Sequence, residues 1–303
     1  MRRLNAQDFD QELLILFDAY VHGTLDRRGF LERAQKFATI GMSAGAILAA
    51  LSPNFALGQQ VAKDDKRITT QWVDYLSPQG SGSIKGYLAR PANAPAGAKL
   101  PSILVIHENR GLNPHIEDIT RRLATDGFMA FAPDALTPLG GYPGDEDKAR
   151  ENFAKLDQGK ALQDFLAGAA WLNARPDSSG KLGAVGFCYG GGMVHMLTTR
   201  MPEIAAGVPF YGNVPAASEA AKVKTPLQLH FAATDERINA AWPAYEAALR
   251  AAGVPFQANT YPGTQHGFNN DTTPRYDADS AKVAWEKTMA FFNDKLKGDR
   301  PRS

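Results

Sequence analysis

The only cysteine of the 303-residue chain, Cys188, stands in Gly186-Phe187-Cys188-Tyr189-Gly190. That is the G-x-nucleophile-x-G spacing of a strand-to-helix elbow, with a thiol where a serine hydroxyl is usual. Glycines two residues to either side let the backbone turn tightly, and Gly191 and Gly192 extend the space. The pattern alone has a plainer reading, since such turns often need glycine and a lone buried cysteine is commonly inert. Two further residues give it chemical meaning. Thr234-Asp235-Glu236 follows an apolar run ending at Phe231, and Gln265-His266-Gly267-Phe268 follows one ending near Tyr261. Taken singly, Asp235 could be a helix N-cap and His266 a loop histidine satisfied by backbone. Together they form a nucleophile, acid and histidine series in which His266 takes the thiol proton and Asp235 holds the imidazole tautomer. Unaided, a thiol of pKa near 8.5 is only about 3% thiolate at pH 7. His107, His115, His195 and His230 have no comparable setting, and His22 lies in an N-terminal appendage.

These residues need a scaffold that presents them from successive loops. From Ile68 onward, short apolar runs alternate with amphipathic stretches, without an internal repeat, which is the pattern of an α/β sheet protein. Trp72–Leu76 and Ile84–Ala89 read as a lead-in hairpin around Gln79-Gly80-Ser81-Gly82. Ser102–Ile106, Phe128–Ala132, Leu182–Phe187, Gly207–Tyr211, Leu227–Phe231 and Gln257–Tyr261 read as further strands. Helices are expected over Pro114–Thr125, within 145–174, and over Tyr189–Thr199, Ala240–Ala252 and Ala278–Leu296. The expected fold is an α/β-hydrolase: a mostly parallel central sheet with helices on both faces, residues 61–303, preceded by an extension over 1–60. Loops at the carboxyl ends of parallel strands form the ligand crevice of such sheets, and each chemical motif lies in such a loop. His107-Glu108-Asn109-Arg110-Gly111-Leu112-Asn113 ends the first central strand, where the second oxyanion-hole amide is supplied. The N–H groups of Asn109 and Tyr189 are the expected pair. Glu108 would face the nucleophile across the crevice, or else pair with Arg110 or Arg121 at the surface. Tyr142, Tyr211 and Phe268 are candidate apolar walls for substrate.

The loop His107–Asn113, Pro133-Asp134, Gly186-Phe187-Cys188-Tyr189-Gly190-Gly191 and His266-Gly267-Phe268 together resemble the dienelactone hydrolase (carboxymethylenebutenolidase) family over roughly Ile68–Lys297. The resemblance implies a cysteine-based hydrolase that opens a lactone or ester through an acyl-thioenzyme, without metal or organic cofactor. It also implies that Glu108 contacts the resting thiol and helps trigger its ionisation. Members acting on dienelactone hold its carboxylate with two arginines, one after the Pro-Asp strand end and one just after the catalytic histidine. Here Ala135–Tyr142 and Phe268–Asp271 supply neither, and Arg150 and Arg275 are expected to lie too far away. A neutral or cationic substrate is therefore expected, with Asp271 adding repulsion if it faces the pocket.

Lys+Arg 33 against Asp+Glu 32 leaves a net charge of +1, so no global field attracts nucleic acid or an anionic membrane. A small molecule is the default partner. One cysteine allows no intrachain disulfide and leaves the compartment open. Asp26-Arg27-Arg28-Gly29-Phe30-Leu31, the uncharged Phe37–Leu51 stretch and Ala56-Leu57-Gly58 resemble a twin-arginine export signal cleaved before Gln59, too short to form a stable membrane span. Export to the periplasm is expected on that reading. Yet Leu13, Leu14, Phe17, Tyr20 and Val21 fall on one helical face, so the alternative is a helical appendage packed on the domain or on a second subunit of a homo-oligomer, in the cytoplasm. For the domain itself the alternatives to a hydrolase are a binding or accessory protein on the same scaffold, and a redox sensor, which lacks a resolving cysteine.

Overall fold

The structure, a computed structural model, describes residues 4–39 and 42–298. Eight strands form one sheet: β1 (Ile68–Ser77), β2 (Gly82–Pro91), β3 (Leu100–Ile106), β4 (Met129–Pro133), β5 (Ser178–Phe187), β6 (Ile204–Phe210), β7 (Leu227–Ala232) and β8 (Phe256–Tyr261). Their order is β1-β2-β4-β3-β5-β6-β7-β8. β2 runs antiparallel to β1 and β4, while every pairing from β4 to β8 is parallel. β3 and β5 lie centrally, and Ser102–Ile106 and Leu182–Phe187 are buried without a break. That is why both read as continuous apolar runs instead of alternating ones.

Helices α1 (Gln11–Val21), α2 (Arg27–Ala34), α3 (Ala44–Leu51) and α4 (Phe55–Gly58) precede the sheet. Within it come α5 (Pro114–Thr125), α6 (Glu146–Phe153), α7 (Gln158–Asn173), α8 (Tyr189–Thr198), α9 (Glu236–Asn239), α10 (Trp242–Ala251) and α11 (Ala278–Phe292). Ile116, Ile119 and Leu123 of α5 and Ala281, Ala284 and Phe292 of α11 cover one face of the sheet; Phe165, Ala169 and Leu172 of α7 and Val194 and Leu197 of α8 cover the other. The expected helical stretch over 145–174 is two helices, because Asp157 caps a new start at α7 by accepting from Lys160 N.

The extension folds with α1–α3 around its own core of Leu13, Leu14, Phe17, Tyr20, Phe30, Ile47, Leu48 and Leu51, while α4 packs against α5. Arg27 and Arg28 open α2, where Arg27 pairs with Asp147 of α6 at 2.6 Å and Arg28 with Glu32 at 2.8 Å. Gly58 is buried, its carbonyl accepting from Arg122 at 2.8 Å. A Cβ there would stand 2.6 Å from Thr272 Cγ2, so packing alone requires glycine. Residues 40 and 41 of the Phe37–Leu51 stretch lie outside the described residues. Among the described residues no helix is long and apolar enough to cross a membrane.

Candidate active site

Cys188 sits between β5 and α8 with φ 54° and ψ −112°, one of two non-glycine residues at positive φ among the described residues. Such a conformation costs on the order of 1–3 kcal/mol and persists only where its surroundings hold it. They do so tightly. Cys188 N–H donates to Phe210 O at 3.0 Å. A Cβ on Gly186 would stand 2.1 Å from Gly190 O, and one on Gly190 2.2 Å from Ile106 O. The elbow thus closes only with glycine at both flanks.

Asp235 stands at the N-cap position of α9 but caps nothing. Its Oδ2 instead lies 2.5 Å from His266 Nδ1, and both side chains are buried. Thr234 Oγ1 donates to Thr264 O at 2.7 Å, tying together the two loops that carry the pair. With Nδ1 engaged, His266 Nε2 is buried without a hydrogen-bond partner. Tyr211, the other such non-glycine residue, packs its ring 5.0 Å from the imidazole. Burial alone would raise the Cys188 thiol, yet His266 and His22 beside it bring it down to about 6. Burial likewise opposes charge on His266, but Cys188 and Asp235 hold its pKa up to about 10. The pair therefore favours thiolate and imidazolium at neutral pH.

His22 follows α1 and reaches Cys188. Its Nε2 lies 3.4 Å from Cys188 Sγ, and its Nδ1 lies 2.8 Å from Asp18 O and 3.2 Å from Asp18 Oδ2. The segment is tied down on every side. Asn109 Nδ2 and Arg110 Nη2 donate to Val21 O at 2.8 and 3.1 Å, Arg150 Nη1 donates to Tyr20 O at 3.0 Å, and Arg275 pairs with Asp18 at 3.1 Å. Tyr20 Oη also donates to Asp147. Sequence reasoning set His22 aside as part of the appendage. The available signal was Asp18-x-x-x-His22, a spacing that places a carboxylate and an imidazole on one helical face.

This segment splits the crevice. One pocket, of about 870 Å³ including its mouth, is lined by Phe17, Glu108, Arg110, Glu146, Cys188, His266 and Arg275, among others. A second, of about 690 Å³, is lined by His22, Arg150, Phe153, Cys188, Tyr211 and Arg237, among others. Val21, Asn109 and Cys188 border both.

Several expectations need correction. Glu108 does line the crevice, but its Oε2 accepts from Asn270 Nδ2 at 2.9 Å, and the thiol's partner is His22. Nor does Glu108 pair with Arg110 or Arg121, which face Glu146 at 3.7 Å and Asp118 at 3.2 Å. Phe268 is no wall: it is wholly buried behind Tyr211 and Tyr261. Tyr142 lies outside both pockets, its hydroxyl donating to Glu146 at 2.8 Å, while Tyr211 does line the second. Arg275 and Arg150 are not distant, because the loop after His266 folds back over α1 and α6 packs beside it. Asp271 neither repels substrate nor faces water; it is buried and paired with Arg122 at 2.6 Å.

The β3 loop is positioned by His107, which is buried and keeps a neutral ring because burial lowers its pKa. Its Nδ1–H donates to Glu108 O at 2.5 Å, while Nε2 accepts from Ala135 N–H at 3.2 Å. Asp134 accepts from the backbone N–H groups of Leu112, Leu136 and Tyr142 at 3.0–3.2 Å, tying the β4 loop to the same place. Asn109 lines both pockets with Cys188, and Tyr189, the first residue of α8, lines the second. Among the described residues, His22, Cys188 and His266 also form a cluster with metal-ligand spacing, their heteroatoms lying within 4.8 Å of one another.

An elbow at the sheet's carboxyl edge, followed by an acid loop after β7 and a histidine loop after β8, defines an α/β-hydrolase. A model of the dienelactone hydrolase family matches residues 84–296, and the chain belongs to that family. A second model, described as YqhI-like, matches residues 1–38. The chain is 31% identical over 243 residues to a Synechocystis protein named "Putative carboxymethylenebutenolidase", covering 73% of this chain and 95% of that one. It is 47% identical over 116 residues to an Escherichia coli K12 hydrolase fragment, YghX, covering 38% of this chain and 97% of that one. Among solved structures, a Klebsiella pneumoniae protein described as a "Putative Dienelactone Hydrolase" matches with TM-score 0.64 and 27% identity, covering 74% of this chain and 98% of that one.

Proposed function

We propose that the protein hydrolyses a small carboxylic ester or lactone through Cys188, His266 and Asp235. The observation that carries this is the thiol held at an elbow beside a histidine whose far nitrogen is fixed by a buried carboxylate 2.5 Å away. In acylation the thiolate attacks the carbonyl carbon, forming a C–S bond as the C–O bond to the leaving group breaks. His266 Nε2–H protonates that oxygen. In deacylation the neutral imidazole takes a proton from water as its oxygen attacks the thioester, and the C–S bond breaks to restore the thiolate. Charge on the tetrahedral oxygen is held by the N–H groups of Asn109 and Tyr189, removal of one such donor costing on the order of 10²–10³ in rate. Carboxymethylenebutenolidase names among the relatives support an ester or lactone as the substrate class.

An activated ester tests this. The wild type is expected to release a stoichiometric burst and then turn over, whereas Cys188→Ala gives neither and melts within a few degrees of the wild type. Equal turnover by Cys188→Ala would remove the mechanism, and a burst-free, inert wild type would favour an accessory protein on this scaffold.

A further inference from the structure

We propose that His22, presented by α1 and backed by Asp18, is a second catalytic histidine at the Cys188 thiol, so that the N-terminal segment completes the active site. The inference rests on the Cys188 mechanism above. Its basis is a near-symmetry around one sulfur. His266 has a carboxylate on Nδ1 and turns Nε2 inward from the first pocket; His22 has on Nδ1 the Asp18 carbonyl at 2.8 Å and the Asp18 carboxylate at 3.2 Å, and turns Nε2 to Sγ from the second. The two rings meet edge to face at 4.9 Å. A carboxylate on one ring nitrogen fixes the tautomer and supports the charged ring, which is the role assigned to Asp235.

The charged neighbours of His22 come from five elements. Asp18 on its own helix and the Cys188 thiolate favour a protonated ring, while His266 opposes it. Arg237 of α9 approaches the same Nε2 at 3.2 Å and also opposes it, or donates to the neutral ring. Arg150 lines the same pocket, and Arg275 is occupied by Asp18. Burial works against the charge on His22, but the thiolate and Asp18 outweigh it and raise its pKa.

The chemistry follows from which proton moves. His266 carries the proton that passes to the leaving group and returns from water. His22 keeps its own, donating Nε2–H to Sγ in the resting thiolate and again as the thiolate departs in deacylation. No atom is gained or lost at His22 in either step. A plain plug would cover the sulfur without needing a titratable ring or its own carboxylate.

The test uses the full-length protein. Alkylation of Cys188 by iodoacetamide is followed from pH 4 to 10 in the wild type, His22→Gln and His22→Ala, alongside turnover of the activated ester and a melting curve. Loss of the imidazolium charge, which glutamine's neutral amide N–H does not replace, is expected to move the alkylation midpoint upward by at least one pH unit in both variants, and to lower turnover roughly 10- to 100-fold with acyl-enzyme accumulating. Glutamine keeps the size of the ring and guards against loss of the docked segment. An unchanged midpoint and turnover in His22→Gln would overturn the role of His22, as would faster turnover in His22→Ala, the mark of a plug. Turnover by Cys188→Ala would instead overturn the nucleophile assignment, so the two failures are distinct.

Discussion

Replacing Asp18 by Asn tests how the N-terminal segment sets substrate charge preference. Arg275 is 9% exposed, lines the first pocket beside Cys188 and His266, and gives Nη1 to Asp18 Oδ1 at 3.1 Å. Its Nε is buried without a hydrogen-bond partner. The other arginines of that pocket, Arg110 and Arg27, face Glu146 at 3.7 Å and Asp147 at 2.6 Å. All three guanidinium groups are thus compensated, and a substrate carboxylate reaching Arg275 would compete with Asp18. Asp18→Asn removes one negative charge with almost no change in volume and leaves Arg275 uncompensated. A charge-assisted hydrogen bond contributes about 1.5–3 kcal/mol, which is roughly 10- to 100-fold in rate at about 1.4 kcal/mol per tenfold. The assay compares kcat/KM for a lactone bearing a free carboxylate with that for its methyl ester, in both proteins, at fixed pH and salt. Taking the ratio cancels any effect on the shared chemistry, including that through His22. The wild type is expected to favour the neutral ester, and the variant's ratio to shift toward the anion by that factor. An unmoved ratio, or a wild type that already prefers the anion, would refute the compensation argument.

Three further outcomes are expected. With the thiol at about 6 and His266 at about 10, the reactive thiolate and imidazolium coexist between those values; kcat/KM should rise as pH passes about 6 and fall as it passes about 10, and a single rise near 8.5 would contradict the ion pair. Gly190→Ala should destabilise by about 3 kcal/mol or more, read as a lower melting temperature, because its Cβ would meet the backbone at Ile106 O and cannot be relieved by a side-chain rotation. Terminal sequencing of protein from the native host separates the two proposals for residues 1–58: the docked segment predicts retention of residues before Gln59, whereas a periplasmic chain beginning at Gln59 would establish export and remove His22 from the mature enzyme.

The central strands are legible because they are buried on both faces, so that Ser102–Ile106 and Leu182–Phe187 announce themselves by unbroken apolar character. Cys188 directly follows one of them, whereas Asp235 and His266 stand three and five residues beyond β7 and β8, and β8 is a partly exposed edge strand. What lay beyond was long-range. Arg275 stands nine residues after His266 and was judged remote, yet the intervening turns at Gly267, Asn270 and Thr273 fold it back to the pocket. Phe268 and Tyr142 looked like walls because chain distance to the triad says nothing of direction; one points into the core and the other toward Glu146. His22 was missed for a related reason, since α1 shows its own periodicity but not the surface on which it docks.

The docked segment also constrains the order in which a working enzyme can arise during synthesis. Asp18 and Arg275 are 257 residues apart, and His22 and Cys188 166 apart. At about 5–20 residues per second, the helix that carries His22 leaves the ribosome roughly 10 to 50 seconds before its last partner is made. Through that interval Leu13, Leu14 and Phe17 can shelter only against the small core of the extension itself. Closing so long a loop is slow, which makes docking a late event in folding. The thiol therefore gains its full set of neighbours only when the chain is nearly finished, and a nascent or truncated chain ending before Gln265 carries an elbow cysteine without His266.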